Sequence, residues 1–340
     1  MAKKYVNPNL LCMGCMKTVD NPTQTCPFCG FIPANYQHPE HSMPLFEILK
    51  GKYLIGKVLG IGGFGITYMG WDLYQSKRVC IKEYFPKGVA SRETSASLST
   101  QNKSGVTTNM NVCTQNDVKA HSAYIEGLKA YIQEAEMLSK FYLMPGIVSV
   151  RDFFYGNGTA YIVMEYIEGT DLRKLARANG KRLLPQVLFP MLKDVIKALY
   201  TVHQAGIIHR DISPDNIMVT REYQAKVVDF GAAKNQNTMD GNVMLKHGYA
   251  PLEQYDCNGN QGPWTDIYSL CATIYYLLSG KKLQKVHDRI QNDQTQSLQT
   301  MGIPVTEWEE MAIMKGLNIS IENRYLSMAD LYRDLYQEEI

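Results

Sequence analysis

The chain has 340 residues, of which 45% are hydrophobic and 20% are charged, and its formal net charge at pH 7 is +2. A chain of this length and composition can bury a substantial core, so we expect one large or two medium domains. The small net charge argues against a nucleic-acid partner. There is no run of about 18 apolar residues and no apolar signal segment, so we expect a cytoplasmic protein with no membrane partner and with reduced thiols.

Four of the eight cysteines form two C-x-x-C pairs, "CMGC" and "CPFC", near the N-terminus. Two such pairs let four thiolates converge on one zinc ion, and in a segment this short the metal would supply folding free energy rather than catalysis. A redox dithiol or a disulfide pair is the alternative, but a redox motif needs no duplicate and here lacks its βαβ context. Residues 1–34 are similar to a zinc ribbon, a family whose members bind proteins or nucleic acids. We therefore expect a structural zinc site, with an unidentified partner for the ribbon, formed by Cys12, Cys15, Cys26 and Cys29.

Residues 33–48 contain three prolines and little periodicity, which predicts a linker at 35–48. His38 and His41 lie in this segment. We expect them to be solvated rather than to bind zinc, because four cysteines already complete a tetrahedral site.

From Tyr53 the stretch "YLIGKVLGIGGFGITYMGWD" predicts a strand, a glycine turn and a second strand. Gly60, Gly62 and Gly65 form G-x-G-x-x-G. A Rossmann unit would continue into a helix, whereas "ITYMGWD" is β-branched and aromatic, so a hairpin whose backbone N–H groups approach phosphates fits better. A plain tight hairpin is the remaining alternative. Lys82 follows in the strand "RVCIKEYF", 17 residues after Gly65, where a third strand can bring an amine to phosphate oxygens.

Residues 86–117 are rich in Ser, Thr and Asn, which predicts an insertion. The next segment, "AYIEGLKAYIQEAEMLSKF", has the apolar spacing of an amphipathic helix. It carries Glu134 and Glu136, two candidates to pair with Lys82, of which we favour Glu134. The segments after it predict a hairpin at Gly156-Asn157-Gly158 and a long helix that begins at Pro185.

The stretch "IIHRDISPDNIMV" follows that helix and places Asp211 on a loop, with Asn216 five residues later and Asp229 in "VVDFGAA". The ordered set of glycine loop, lysine strand, HRD with its Asn, and DFG resembles protein kinases of the bacterial eukaryotic-like type. The resemblance implies an α+β, bilobal protein-kinase fold preceded by the zinc ribbon. The kinase domain would span 49–338, with an N-lobe at 49–167 and a C-lobe at 168–338.

The resemblance also implies roles for these residues in phosphoryl transfer from ATP to a protein substrate. Asp211 would orient the substrate hydroxyl and accept its proton, while Asn216 and Asp229 would bind Mg²⁺. Lys82, held by Glu134, would hold the α- and β-phosphates. In the same way Met164 would lie behind the adenine, and the stretch from Glu165 to Ile167 would hydrogen-bond the base.

Further landmarks of the family are present in the last third of the chain. Glu253 in "GYAPLEQY" would form an ion pair with Arg324, and Asp266 would lie near the start of the central C-lobe helix. Arg210 would bind a phosphate on the activation loop, in which Thr238 is the expected autophosphorylation site. A solvated loop threonine is the alternative at that position.

Several positions depart from the family pattern, and Ser213 is the most important of them. A serine/threonine kinase carries a lysine there, and Asp215 does not restore the tyrosine-kinase pattern either. Loss of that cation would weaken charge stabilisation without removing Asp211, Lys82 or the metal ligands. A pseudokinase that binds nucleotide without efficient transfer is therefore the alternative function, and a ribbon-led nucleic-acid binder is a third. The milder departures are Thr67, Cys80 and Lys246-His247.

Overall fold

The structure is a computed structural model that describes residues 7–92, 112–114, 118–230, 245–256 and 259–340. It divides into two units along the chain. Unit 1 comprises Met1–Tyr142 and Ser149–Tyr166, and unit 2 comprises Leu143–Val148 and Ile167–Ile340.

Unit 1 begins with the four-cysteine segment, which folds as two tight turns. Its first turn is closed by the Cys12 amide, which donates to the Lys17 carbonyl at 3.0 Å, and by a β-bridge between Leu11 and Thr18. In the second turn the Cys26 amide donates to the Phe31 carbonyl at 2.9 Å. Gly30 has φ +69° in this turn, a conformation that glycine adopts without strain.

Most of unit 1 is a sheet that contains six antiparallel strands within the described residues, in the order β1-β2-β3-β4-β8-β7. The predicted glycine hairpin is β2–β3, and the predicted turn at Gly156-Asn157-Gly158 joins the last two strands. The strands and the helix of unit 1 are β1 (Ile48–Leu49), β2 (Tyr53–Ile61), β3 (Gly65–Asp72), β4 (Lys77–Tyr84), β5 (Ala90–Ser91), β6 (Cys113–Thr114), α1 (Val118–Ser139), β7 (Val150–Gly156) and β8 (Thr159–Glu165).

Helix α1 confirms the predicted amphipathic helix and packs on β7 and β8. Its buried side chains include Leu128, Tyr131, Ala135 and Leu138, which recur at helical spacing. The predicted insertion before it contributes the short β5–β6 pair, and residues 93–111 lie outside the described residues.

The segment 35–48, predicted as a linker, is packed against the sheet. Met43 is 1% exposed, and its amide donates to the Tyr68 hydroxyl at 3.1 Å. The Val58 amide donates to the Tyr36 hydroxyl at 2.9 Å. Isolated contacts to the sheet therefore hold this segment. Such contacts do not recur at a regular spacing, so they leave no periodic pattern in the sequence.

Unit 2 is mainly helical. Its small sheet has the order β11-β10-β9 in the described residues, and neighbouring strands are antiparallel. The long helix that begins at Pro185 is also confirmed. The elements of unit 2 are β9 (Gly169–Asp171), α2 (Leu172–Ala178), α3 (Pro185–Gln204), β10 (Ile217–Thr220), β11 (Ala225–Val227), α4 (Pro263–Ser279), α5 (Val286–Gln291), α6 (Glu307–Gly316) and α7 (Met328–Tyr336).

Helix α4 forms the centre of unit 2, since nearly all of its side chains are buried and it packs against α3, α6 and α7. A helix that is apolar around its whole circumference must be surrounded by other elements. Among the described residues, no helix is long and apolar enough to cross a membrane.

Candidate active site and metal centre

The glycine hairpin of unit 1 has an open backbone where a phosphate could approach. A Cβ added at Gly60 would meet no atom within 4 Å, and at Gly62 it would meet only the Gly65 carbonyl oxygen at 3.8 Å. The Gly62 amide donates to that same carbonyl at 2.8 Å and closes the turn. Gly65 differs, because its Cβ would collide with the Glu83 carbonyl of β4. Two glycines thus keep one side of the turn clear, and the third allows close strand packing.

Lys82 is the third residue from the end of β4, opposite Thr67 on one side and Ile162 on the other. Helix α1 reaches this point, because the Tyr131 hydroxyl donates to the Lys82 carbonyl at 3.0 Å. Glu134 follows Tyr131 by three residues and is only 8% exposed, whereas Glu136 is exposed. The helix face therefore favours Glu134 over Glu136 as the partner of Lys82, and their ion pair stays a prediction.

The end of β8 carries the residues expected to meet adenine. Met164 pairs with Cys80 across the sheet. Glu165 is fixed through both its amide and its carboxylate. Its amide donates to the Ser149 carbonyl at 3.0 Å, and its Oε1 accepts from the Ser149 amide at 2.9 Å. Ile167 belongs to unit 2. Adenine binding by the stretch from Glu165 to Ile167 remains a prediction.

Sequence reasoning missed a buried ionic cluster beside Lys82. Glu83 is fully buried, forms an ion pair with Arg92, and accepts hydrogen bonds from the Tyr68 hydroxyl at 2.9 Å and the Tyr161 hydroxyl at 2.8 Å. Burial, followed by the charge of Glu83, raises the pKa of both phenols, so they remain donors. The Arg92 guanidinium also donates to the His41 carbonyl. A buried carboxylate needs such partners, and here they connect β4 to the segment before the sheet.

The four cysteines come together as predicted, with all of their sulfur atoms within 4.8 Å of one another. The Cys12–Cys29 and Cys15–Cys26 sulfur pairs are 3.7 and 3.8 Å apart. Four ligands at about 2.3 Å from one zinc ion lie about 3.8 Å from each other in a tetrahedron, so the residues fit this metal.

The environment of these thiols differs from one to another. Burial raises the pKa of Cys12 and Cys15. Burial also acts to raise the pKa of Cys26. Hydrogen bonds from the backbone N–H groups of Phe28 and Cys29 to the Cys26 sulfur outweigh this effect and lower the pKa to about 7. A thiolate that accepts backbone N–H groups is the form that binds zinc.

In unit 2, Asp211 and Asn216 contact each other directly. The Asn216 amide nitrogen donates to the Asp211 carbonyl at 2.9 Å and to its Oδ2 at 3.0 Å. Because that nitrogen is turned toward Asp211, the amide oxygen is the atom that can bind a cation. The structure thus brings two predicted site residues into one hydrogen-bonded pair.

Asp266 fixes the backbone of this loop. It is fully buried at the start of α4, and its carboxylate accepts from the amides of His209 and Arg210 and from His203 Nε2, each at 2.8 Å. Burial raises the Asp266 pKa, but the hydrogen bond and charge of His203 outweigh it and hold the pKa below its usual range. Arg210 has φ +65°, a strained conformation that these contacts can maintain.

His209 connects the HRD loop to the DFG segment. Its Nδ1 accepts from the Asp211 amide at 3.2 Å, so Nε2 carries the proton and donates to the Val228 carbonyl at 3.0 Å. Its ring packs on Phe230 with centroids 4.5 Å apart. Asp229 lies between Val228 and Phe230 in the chain, is exposed and has φ +66°. These contacts give His209 a structural role between the two segments.

Unit 2 also contains two ion pairs that bear on the sequence predictions. Arg324 and Glu253 form the predicted pair at 2.7 Å, and both residues are buried. Asp215 is bound by the Arg173 guanidinium through two hydrogen bonds of 2.6 and 2.8 Å. This second pair was not predicted. Thr238 lies outside the described residues, as does Cys257.

The comparisons with known proteins agree with this architecture. A family model described as "Protein kinase domain" matches residues 101–331, more than half of the chain. The chain therefore belongs to the protein kinase family. The glycine hairpin and Lys82 precede the matched range.

Individual relatives of the chain are named as protein kinases. The chain is 33% identical over 264 residues to serine/threonine-protein kinase F of Synechocystis sp., a match that covers 74% of this chain and 48% of the relative. It is 29% identical over 243 residues to serine/threonine-protein kinase PknA of Mycobacterium tuberculosis, covering 69% and 48%. The chain thus spans about half the length of these curated relatives.

A solved structure, "PpkA-294 apo form", matches with a TM-score of 0.74 and 28% identity, covering 87% of this chain and 99% of that one. The expected α+β kinase fold, with a β-rich N-lobe and a helical C-lobe, is confirmed.

Proposed function

We propose that this chain is an ATP-dependent protein kinase that phosphorylates Ser and Thr hydroxyls of proteins, including its own. The observation that carries the proposal is the Asp211–Asn216 pair, on a loop whose His209 and Arg210 amides both donate to the buried Asp266. Phosphoryl transfer depends on positioning and charge rather than on covalent chemistry. A loop fixed in this way supports an active enzyme over a pseudokinase.

Each predicted residue has one task in this proposal. Asp211 orients the attacking hydroxyl and accepts its proton. Asn216 and Asp229 are the proposed Mg²⁺ ligands, and bound Mg²⁺ would neutralise phosphate charge. In unit 1, the open backbone at Gly60 and Gly62 would approach the ATP phosphates.

The remaining cofactor-binding residues complete the proposal for unit 1. Lys82, positioned by Glu134, would donate to phosphate oxygens. Glu165 and Ile167 would supply backbone hydrogen bonds to adenine. The relatives are named as serine/threonine kinases, which supports that substrate class for this chain.

The test compares the wild type with Asp211→Asn in Mg²⁺, ATP and a generic protein substrate. We expect the substitution to reduce phosphate transfer by about 100-fold or more, because it removes the general base. Mass spectrometry then locates phosphate on Ser or Thr residues of the wild type, with Thr238 as the first position to inspect. ATP binding without transfer by the wild type would support the pseudokinase alternative instead.

We also propose that Cys12, Cys15, Cys26 and Cys29 hold one structural zinc ion. The sulfur separations support this, and with four thiolates no coordination position remains for a substrate.

Metal analysis tests the zinc proposal. The purified protein should contain about one zinc per chain, and Cys26→Ser should lower that content, while Cys80→Ser serves as a control outside the cluster. Equal zinc content in the wild type and Cys26→Ser would contradict the assignment.

A further inference from the structure

Lys246 lies beside the catalytic carboxylate although it is 35 residues away in sequence. Its Nζ is 3.2 Å from Asp211 Oδ2 and donates to Ser213 Oγ at 2.9 Å. Ser213 is fully buried, whereas the side chains of Lys246 and Asp211 are 32% and 19% exposed. The ammonium group thus lies at the edge of the catalytic loop, where a substrate could reach it.

We propose that Lys246 is a catalytic residue that supplies positive charge to the transferring phosphoryl group, the charge that Ser213 cannot supply. This inference rests on the proposed kinase function and deepens it. The serine is small and neutral, so it leaves room for the lysine from another segment and also accepts its hydrogen bond. An ammonium group has three N–H donors, and Ser213 and Asp211 account for two of them.

The backbone around Lys246 is fixed, so the position of its side chain does not depend on a single contact. The amides of Tyr249 and Ala250 donate to the Lys246 carbonyl at 2.9 and 3.2 Å and close a turn. The Tyr249 carbonyl in turn accepts from Ser269 Oγ of α4 at 2.9 Å. The same helix that carries Asp266 therefore also anchors the segment that carries Lys246.

Arg173 is a second cation near this loop, but it is already engaged. Its guanidinium makes the two hydrogen bonds to Asp215 described above, and a further contact of 3.3 Å joins it to the Tyr249 hydroxyl. A guanidinium paired with a carboxylate in this way has little charge to offer a phosphate. Lys246 is the better candidate, because one of its two partners is the neutral Ser213 hydroxyl.

The proposed step is in-line transfer from a nucleoside triphosphate. The substrate hydroxyl oxygen forms a bond to the γ-phosphorus, and its proton passes to the Asp211 carboxylate. The bond between the γ-phosphorus and the bridging oxygen breaks, and its electron pair stays on the leaving diphosphate. Negative charge is spread over the three outer oxygens during this exchange, and Lys246 would donate to one of them.

The test measures steady-state transfer by the full chain with Lys246→Met, which keeps the length of the side chain and removes its charge. Because loss of one preorganised donor in an active site lowers kcat by about 100- to 1,000-fold, we expect a fall in that range. The KM for ATP and the affinity for ADP should change less than about twofold. Lys193→Met is the matched control, because Lys193 is also half-exposed and paired with a carboxylate, that of Glu338.

A second variant distinguishes catalysis from simple support of the loop. Adding Ser213→Lys to Lys246→Met returns a cation to the loop, and kcat should recover at least about tenfold. A low kcat without recovery, accompanied by a lower Tm, would assign Lys246 a structural role and overturn the inference. An unchanged or higher kcat in Lys246→Met would also overturn it. A wild type that transfers no phosphate would overturn the kinase proposal and this inference together.

Discussion

Two glycines of strand β2 have different surroundings although they are four residues apart. A Cβ on Gly56 would collide with the Met16 side chain and lie 2.5 Å from the Met13 carbonyl oxygen, both in the four-cysteine segment. A Cβ on Gly60 would meet nothing within 4 Å. Gly56 is thus required by packing within the protein, whereas Gly60 leaves space that we assign to ATP.

Gly56→Ala should therefore lower stability, and Gly60→Ala should lower nucleotide affinity. Overpacking against a backbone carbonyl costs about 1–3 kcal/mol, which corresponds to a Tm decrease of about 3–10 °C in a unit of this size. Gly60→Ala should keep the Tm within about 1 °C and weaken ATP binding about fivefold, equivalent to about 1 kcal/mol. Thermal unfolding and nucleotide titration measure the two effects. The reverse pattern would mean that our assignment of the two glycines is wrong.

Several site residues could be predicted from the sequence because their spacing is local. Asp211 and Asn216 lie five residues apart on one loop, and the structure joins them directly. The Glu83–Arg92 pair could not be predicted in the same way. Its members carry no motif, and the three residues that donate to Glu83 come from separate parts of unit 1: Tyr68, Arg92 and Tyr161.

At the scale of elements, segments with regular apolar spacing were predicted well. Helices α1 and α3 and the two hairpins follow from periodicity and turn residues, whereas α4 is expected only from the family resemblance. Segment 35–48 has no such pattern, yet Tyr36, His41 and Met43 each contact the sheet or the strand pair beside it. Isolated tertiary contacts of this kind are invisible to local pattern analysis, and the domain boundaries proposed from the sequence stay predictions.

The position of Lys246 illustrates the same limit. The sequence identified Ser213 as a departure and Lys246-His247 as another, but it gave no reason to connect them. Only the folded loop brings the Lys246 ammonium within 2.9 Å of the Ser213 hydroxyl. Two departures that look independent along the chain are one feature in space.

At the scale of the whole molecule, the four-cysteine segment is part of unit 1 rather than a separate body. Leu11, Met13 and Met16 form one buried cluster with Leu54 and Met69 of the sheet. The Lys57 amide of β2 also donates to the Met13 carbonyl at 2.9 Å. The strand that leads into the glycine hairpin therefore depends on the four-cysteine segment for part of its core.

A chain that begins at residue 46 should consequently be less stable than the full chain. It would expose Leu54 and Met69 and lose the His41 contacts of Arg92, and each large apolar side chain returned to water costs about 1.5–3 kcal/mol. We expect a loss of about 5 kcal/mol or more, with a Tm lower by about 10 °C or with aggregation. Phe28→Ala in the full chain is the control, because Phe28 belongs to the same segment but is 59% exposed, and its Tm should not change. If the shortened chain unfolds at the same temperature as the full chain, the cysteine segment is an independent module and the cluster contributes little to the sheet.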